Sequence, residues 1–336
     1  MAYAVAINGF GRIGRTAFKI ALTRPEIEIV AINDLAAAES LAYLLRYDTA
    51  YGKYSEEVAV DQNSLVVGGQ SIPLFAEPDP TKLPWRDLNV DVVVESTGAF
   101  TKREQAEQHL TAGAKAVVVS APGKGDNPIT IGVLGANELN ATTEKLFSNA
   151  SCTTNCISPI MAILDAELGV AKAMMTTIHA YTASQNIQDG PNKDFRRGRA
   201  GAANIIPTTT GAATATTAVL PNLKDKFNGF ALRVPLITGS ISDITAVVKR
   251  QTTVAELNQI FTDKADKGLL KGILQVTTEP IVSSDVIGSS YSAIVDLSFT
   301  QVVGGDLVKI VAWYDNEYGY SCRLIDQVIA IAKQVA

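Results

Sequence analysis

The chain has 336 residues, 47% of them hydrophobic and 19% charged, with a formal net charge of −5. That length suggests two domains with enough core to fold unaided, and the composition excludes a disordered chain and gives no basic footprint for a dedicated nucleic-acid partner. Three cysteines are too few for a secreted disulfide framework, no signal-peptide pattern precedes the first apolar run, and no apolar stretch reaches the ~18 residues of a membrane span, so a cytoplasmic protein with no membrane partner is expected.

In chain order, Tyr3–Asn8 reads as a buried parallel strand, the glycine-rich turn Gly9–Gly14 follows, and a helical pattern runs to about Thr23, where Pro25 stops it. Ile27–Asn33 is a second buried strand. Val90–Glu95, Ala116–Ser120 and Ile129–Leu134 continue the strands, with a helix over Thr101–Ala112. This βα alternation to about residue 150 predicts a doubly wound parallel (Rossmann-type) sheet. His109 falls in the 101–112 helix among acidic and polar neighbours and reads as a surface or cap residue.

Ser148–Cys156 leads into a helix to about Leu168, with Pro159 expected to kink it or tighten its first turns. Beyond it the texture changes. Met174–His179, Phe230–Pro235, Ser242–Lys249, Ser292–Phe299 and Leu307–Tyr314 are strand-like, several with period-2 alternation. Thr253–Ala265 is a helix with a capping box from Thr253 and Glu256. Tyr181–Asn204 is a long loop carrying three arginines, and Gly319–Val335 is helical. The second half is thus an α+β domain with a mainly antiparallel sheet.

The triplet Gly9-x-Gly11-x-x-Gly14 has its full context: a strand before it, a helix after it, and Asp34 at the end of the next strand. Gly9 permits the tight turn, Gly11 lets backbone approach a pyrophosphate, and Gly14 lets helix and strand pack closely. Asp34 can accept from both ribose hydroxyls and would repel a 2′-phosphate, which favours NAD over NADP.

Cys152 falls in the first turn of a helix, where the dipole should lower the thiol pKa and stabilise the thiolate nucleophile. His179 ends a strand and offers acid–base chemistry near neutral pH. Cys156, one turn further on, reads as a buried small apolar side chain. Three scattered thiols and two histidines lack ligand spacing, so no metal is expected. A hydride acceptor plus a nucleophilic cysteine suits aldehyde oxidation through a thiohemiacetal and a thioester.

Ala150-Ser151-Cys152-Thr153-Thr154-Asn155-Cys156, Ile7–Arg15 and Trp313–Glu317 together resemble the phosphorylating, NAD-linked glyceraldehyde-3-phosphate dehydrogenase family, and the likeness runs from residue 3 to the C-terminus. The resemblance implies Cys152 as nucleophile and His179 as its acid–base partner. It implies Thr182 and Arg233 for the substrate's phosphate, Ser151, Thr153, Thr210 and Gly211 for the attacking inorganic phosphate, and Arg197 between the two. Gly9, Phe10, Gly11, Arg12, Ile13, Gly14 and Asp34 match the family's dinucleotide turn and ribose acid. Ser96, Thr97 and Ser120 match contacts near the adenosine half, Asn316 the residue that holds the nicotinamide carboxamide, and Tyr320 one beside the ring. It further implies a homotetramer, with the 181–204 loop against a neighbouring subunit. Residues 1–151 would form the NAD-binding domain, rejoined by the helix 316–336, and residues 152–315 the catalytic domain. Pro78 stands where many members carry an arginine near the adenine, which puts that contact in doubt. Two other readings remain at this stage: an erythrose-4-phosphate dehydrogenase, and an NAD-binding scaffold without turnover.

Overall fold

The computed structural model describes residues 2–336. Contacts divide them into two compact units: one contains residues up to Gly132, Glu138–Ala150 and Ser321–Ala336, the other Val133–Asn137 and Ser151–Tyr320.

The first unit begins with strand β1 (Tyr3–Asn8), helix α1 (Arg12–Ala21) and strand β2 (Ile27–Asn33). Helix α2 (Ala38–Arg46) leads to a small hairpin of β3 (Tyr47–Asp48) and β4 (Gly52–Lys53), then to an antiparallel meander, β5 (Val58–Asp61), β6 (Ser64–Val67) and β7 (Gln70–Phe75). Strand β8 (Val92–Glu95), helix α3 (Arg103–Thr111), and strands β9 (Ala116–Val119), β10 (Thr130–Ile131) and β11 (Leu146–Ser148) complete it. The sheet order is β10-β11-β9-β8-β1-β2-β7-β6-β5. From β10 to β7 every pairing is parallel. Strands β8 and β9 are buried along their whole length, as all-valine-type runs in a covered parallel sheet should be. The expected strand at Ile129–Leu134 shrinks to the two residues of β10. The meander and α2 are additions that the glycine-turn pattern does not announce.

The second unit opens with helix α4 (Cys152–Leu168). Ser151 caps it by accepting from Thr154 N–H at 3.1 Å, and Gly169 ends it at φ 68°. Pro159 sits inside an unbroken helix. Strand β12 (Val170–Ala180), β13 (Ile206–Thr208), helix α5 (Ala212–Val219), β14 (Phe227–Val234) and β15 (Ser240–Val248) follow. Helix α6 (Val254–Asp266) precedes β16 (Leu274–Thr277), β17 (Ala293–Asp296), β18 (Gln301–Val303) and β19 (Leu307–Tyr314); helix α7 (Tyr318–Val335) follows and from Ser321 onward belongs to the first unit. The sheet runs β13-β14-β12-β15-β19-β17-β16, with β18 on β19, and most pairings are antiparallel. Strand β15 alternates buried and half-buried residues along its length, so one face enters the core. Ile157, Ile160, Met161 and Leu164 of α4 pack in one cluster with Ile244 and Ile310 of the sheet. The Thr253 cap of α6 forms, but Glu256 turns its carboxylate to Thr252 and Arg250, so the reciprocal half of the expected capping box is absent. The loop 181–204 carries neither helix nor strand.

Candidate active site

The glycine turn lies between β1 and α1. Gly9 has φ 94°, and a Cβ there would sit 2.5 Å from Thr97 N. A Cβ on Gly14 would run into the Gly9 carbonyl oxygen, whereas one on Gly11 would meet nothing within 4 Å. Gly9 and Gly14 therefore serve internal packing, and Gly11 keeps a surface open. No side chain caps the N-terminus of α1 and no acid occupies its first turn, so the start of the helix keeps its affinity for an anion. A cavity of about 360 Å³ is lined by Gly9, Gly11, Asn33, Asp34, Pro78 and Thr97. Asp34 is held in place, accepting from Phe10 N–H at 2.7 Å and from Ala36 N–H at 2.9 Å. An uncapped helix start, an open glycine and an anchored acid fit a dinucleotide.

Other residues of this cluster are engaged internally. The Phe10 ring is buried against Phe18 at 5.3 Å, so the part of Phe10 that reaches the turn is its backbone. The Arg12 side chain is paired with Asp48 at 2.7 Å, and Ile13 follows it in the first turn of α1. Ser96 Oγ donates to the Gly9 carbonyl at 2.7 Å, and Ser120 N–H, just past β9, donates to Glu95 O at 2.8 Å.

His109 overturns its sequence reading. It is 0% exposed, and Trp85 Nε1–H donates to its Nδ1 at 3.0 Å. Its Nε2–H therefore faces Glu95 Oε2, at 3.1 Å. Glu95, itself buried, also accepts from Asn8 Nδ2 at 2.5 Å, Thr97 N–H at 2.8 Å and the Thr97 hydroxyl at 2.5 Å. Asn8 Oδ1 in turn accepts from Asn33 Nδ2 at 2.7 Å. Trp85, His109 and Glu95 thus hold Asn8 and Thr97 at the wall of the cavity. Polar neighbours in sequence concealed this, because the buried face of α3 is set by Trp85, which is remote along the chain.

In the second unit, α4 begins at Cys152 and β12 ends just past His179. Cys152 Sγ lies 3.3 Å from His179 Nε2. Parallel pairing of β12 and β14 sets His179 directly across from Arg233. Arg233 Nη1 lies 2.7 Å from His179 Nδ1 and 3.1 Å from Ala180 O. Tyr314 meets the imidazole edge-on with centroids 6.0 Å apart. Its buried hydroxyl bonds Thr177 at 2.7 Å and Thr153 at 3.0 Å. Burial, then the Arg233 charge, hold the His179 imidazole down to about 3, so it is neutral. The expected lowering of the Cys152 thiol is reversed. Burial pushes the thiol up, with the Arg233 charge and the hydrogen bonds around Thr153 pulling the other way. The pair at rest is a neutral thiol facing a neutral imidazole. Cys156 is fully buried, and burial raises its thiol further.

Around this core the sequence candidates divide. Arg197 Nε donates to Thr208 Oγ1 at 2.9 Å and lies 3.4 Å from Asp194 Oδ2, which leaves it anchored to β13, the strand beside β14. Thr210 Oγ1 accepts from Ala212 N–H at 3.2 Å, and Gly211 is the exposed N-cap of α5. Thr182 Oγ1 bonds Ser184 Oγ at 2.8 Å. Ser151 Oγ accepts from Thr154 N–H at 3.1 Å and bonds Thr154 Oγ1 at 2.8 Å, and Thr153 Oγ1 bonds Tyr314 Oη at 3.0 Å. Asn316 Oδ1 accepts from Ser240 Oγ at 2.8 Å, Gly239 N–H at 3.1 Å and Thr238 Oγ1 at 3.3 Å, which fixes its Nδ2 as the outward donor. Ser240 Oγ also accepts from Ala180 N–H at 3.1 Å, so one hydroxyl ties Asn316 to the residue after His179. Tyr320 is buried in α7. Tyr314, Ser240 and Glu95 were missed as site residues. For Tyr314 the sequence signals were its place at the buried end of an alternating strand and within the Trp313–Glu317 segment.

A fold that cradles a dinucleotide, on the same chain as a thiol held against a base, defines the class: this is an NAD-dependent dehydrogenase. The family model for the glyceraldehyde 3-phosphate dehydrogenase NAD binding domain matches residues 3–103, and that for its C-terminal domain matches residues 151–316. The chain is 51% identical over 336 residues to the glyceraldehyde-3-phosphate dehydrogenase of Geobacillus stearothermophilus, covering 99% of each. It is 52% identical over 332 residues to that of Thermotoga maritima, covering 98% of this chain and 99% of the relative. It is 50% identical over 338 residues to glyceraldehyde-3-phosphate dehydrogenase 2 of Streptomyces avermitilis, covering 100% of each. The chain belongs to the glyceraldehyde-3-phosphate dehydrogenase family.

Proposed function

We propose that this chain oxidises D-glyceraldehyde 3-phosphate to 1,3-bisphosphoglycerate with reduction of NAD, as a step of glycolysis. The observation that carries the reading is Cys152 Sγ at the start of α4, 3.3 Å from the neutral imidazole of His179, with Arg233 immediately beyond it. Cys152 is the nucleophile: its sulfur forms a bond to the aldehyde carbon, the carbonyl electron pair moves to oxygen, and His179 Nε2 takes the thiol proton and passes it to that oxygen. The product is a thiohemiacetal. Bound NAD supplies the hydride acceptor. As hydride leaves the carbon, His179 holds the proton lost by the hemiacetal hydroxyl, and a thioester remains on Cys152. An oxygen of inorganic phosphate then attacks the thioester carbon, the C–S bond breaks, and the Cys152 thiolate leaves.

Arg233 and Thr182 hold the substrate's phosphate. Ser151 and Thr153, through hydroxyls and backbone N–H groups, with Thr210 and Gly211, hold the inorganic phosphate, and Arg197 serves both. Gly9–Gly14 take the pyrophosphate, Asp34 the ribose hydroxyls, and Ser96, Thr97 and Ser120 the surroundings of the adenosine. Asn316 Nδ2 donates to the nicotinamide carboxamide and Tyr320 packs near the ring. Pro78 lines the cavity beside Asp34, where it can pack against the adenine without hydrogen bonds.

The chain acts as a cytoplasmic homotetramer. Support comes from the 181–204 loop, where Ile187 and Phe195 are 87% and 88% exposed, and no described helix is long and apolar enough to cross a membrane. The deciding experiment is NADH formation with and without inorganic phosphate, on the chain and on Cys152→Ser. Phosphate-dependent turnover lost in the variant supports the reading. Turnover equally fast without phosphate would point to a hydrolytic enzyme acting on erythrose 4-phosphate, and NAD binding without turnover to a scaffold. Sedimentation of the purified chain as a monomer would remove the tetramer.

A further inference from the structure

A guanidinium meets an anion with a planar fork of donors, so its aim matters as much as its charge. In Arg197 the aim is set from the edge that faces away from an anion. Nε–H donates to Thr208 Oγ1 at 2.9 Å and Nη2 donates to Thr209 O at 3.2 Å, both on one edge of the group. The other edge, Nη1 with the second hydrogen of Nη2, stays open, and no described residue bonds Nη1. Thr208 Oγ1 carries one hydrogen, so it can accept from Arg197 only if that hydrogen points elsewhere. Asp194 takes it: Oδ2 accepts from the Thr208 hydroxyl at 2.8 Å. Asp194 Oδ2 stands 3.4 Å from Arg197 Nε, longer than a good charge-assisted bond, so the carboxylate acts on the guanidinium through the hydroxyl. Its Oδ1 accepts from Arg196 N–H at 3.0 Å and from Arg197 N–H at 3.5 Å, which also holds the backbone that carries the fork. The Thr208 hydroxyl, ahead of these N–H groups and the Arg197 charge, keeps the Asp194 carboxyl below the usual carboxylate range, so it is ionised at neutral pH. Thr208 itself is buried on β13, set opposite Ala231 of β14, and gives a loop side chain a firm post.

We propose that Asp194 is a positioning residue for the reaction: by taking the Thr208 proton it turns an oxygen lone pair to Arg197 Nε and aims the open edge of the guanidinium at phosphate. The inference rests on the phosphate-binding role proposed above for Arg197 and deepens it. Without the acceptor the hydroxyl hydrogen swings toward Nε–H, donor against donor, and the fork keeps its charge but loses its aim. Phosphate binding then weakens, while the chemistry of the bound complex is little altered.

The test is a mutant cycle on the NAD-loaded, full-length protein. Inorganic phosphate is titrated by calorimetry, and its KM and kcat are read from NADH formation. Asp194→Asn and Thr208→Val should each raise the phosphate dissociation constant and KM about tenfold, with kcat and the NAD dissociation constant nearly unchanged. The double variant should be no worse than either single one, because both remove the same bond. Thr208→Ser, which keeps the hydroxyl, should bind phosphate as the wild type does. Wild-type phosphate affinity in Thr208→Val overturns the proposal. So do additive losses in the double variant, or kcat falling with affinity, the pattern of a loop that has merely loosened. If Asp194→Asn fails to fold, the contrast between Thr208→Val and Thr208→Ser decides alone. Arg197→Leu separates the two readings. Phosphate affinity lost there but kept in Thr208→Val refutes only the positioning role, whereas phosphate affinity kept in Arg197→Leu refutes the phosphate role of Arg197 and the positioning role with it.

Discussion

The two polar clusters of this chain treat their hydrogen bonds in opposite ways. Around Glu95, four donors converge on one buried carboxylate: His109 accepts from Trp85 at Nδ1 and gives Nε2–H to Glu95 at 3.1 Å, and Asn8 Nδ2, 3.4 Å from that same nitrogen, donates to Glu95 at 2.5 Å. Around Cys152, one imidazole nitrogen is contested by a donor and an acceptor, and an arginine nitrogen is buried unspent. A closed network rigidifies whatever it touches, here the wall of the dinucleotide cavity. A contested one can rearrange at small cost, which is what proton transfer needs. The difference suggests that binding was assigned to the satisfied cluster and chemistry to the frustrated one.

Substitutions can break or sharpen that contrast. The largest effect is expected from Cys152→Ser, which should lower NADH formation by at least about 10³-fold while leaving the NAD dissociation constant nearly unchanged; a titration of NAD alongside the rate assay checks both halves. Next comes His109→Leu, which strands the Glu95 charge and the Trp85 N–H in the interior. It should cost about 3 kcal/mol in urea unfolding and raise KM for NAD more than it lowers kcat. A silent His109→Leu would mean the Glu95 cluster is not the rigid partner in the comparison.

A smaller effect concerns acid. His179 titrates near 6.5 when unfolded and at about 3 in the fold, because burial and then Arg233 disfavour its charge. Below about 6.5 the unfolded chain binds a proton that the folded chain does not. Stability is therefore full above that pH and falls as pH drops toward 3, by up to about 1.4 kcal/mol per unit. His179→Gln should remove this component from unfolding curves compared at pH 7 and pH 5. Cys152, Arg233 and Tyr314 are the titratable groups facing the ring, and none of them changes charge in that window in the directions found. The smallest change is Ser151→Ala, which deletes the cap of α4 and should cost about 1 kcal/mol of stability, measured by denaturant midpoint. Retained activity at saturating phosphate would show that the anion needs the backbone there, not the hydroxyl.

How much of this could be read beforehand depended on range. Strands β1, β2 and β19 and helices α4 and α6 announce themselves through local pattern: apolar runs, alternation, a serine or threonine cap. The glycine turn and Asp34 also follow from local spacing. The β5–β7 meander did not, since its short strands are mixed polar and apolar and take their faces from each other. Cys152 and His179 were readable as residue types in suggestive places, but their 3.3 Å contact depends on strand pairing that no local window contains. His109 was misread for the same reason, and the thiol's acidity was misjudged because the helix dipole is visible in sequence while burial is not.

His179 and Arg233 stand opposite each other in the register of two paired parallel strands. A one-residue slip of either strand would throw one of the two side chains to the far side of the sheet. The loops between them carry no such constraint. Lineages of this protein can therefore lengthen or shorten the 181–204 segment and keep the pair intact, whereas a single-codon deletion inside β12 or β14 should abolish it. The alignment of the catalytic base with its arginine is thus inherited as a property of sheet geometry, independent of how the intervening chain is routed.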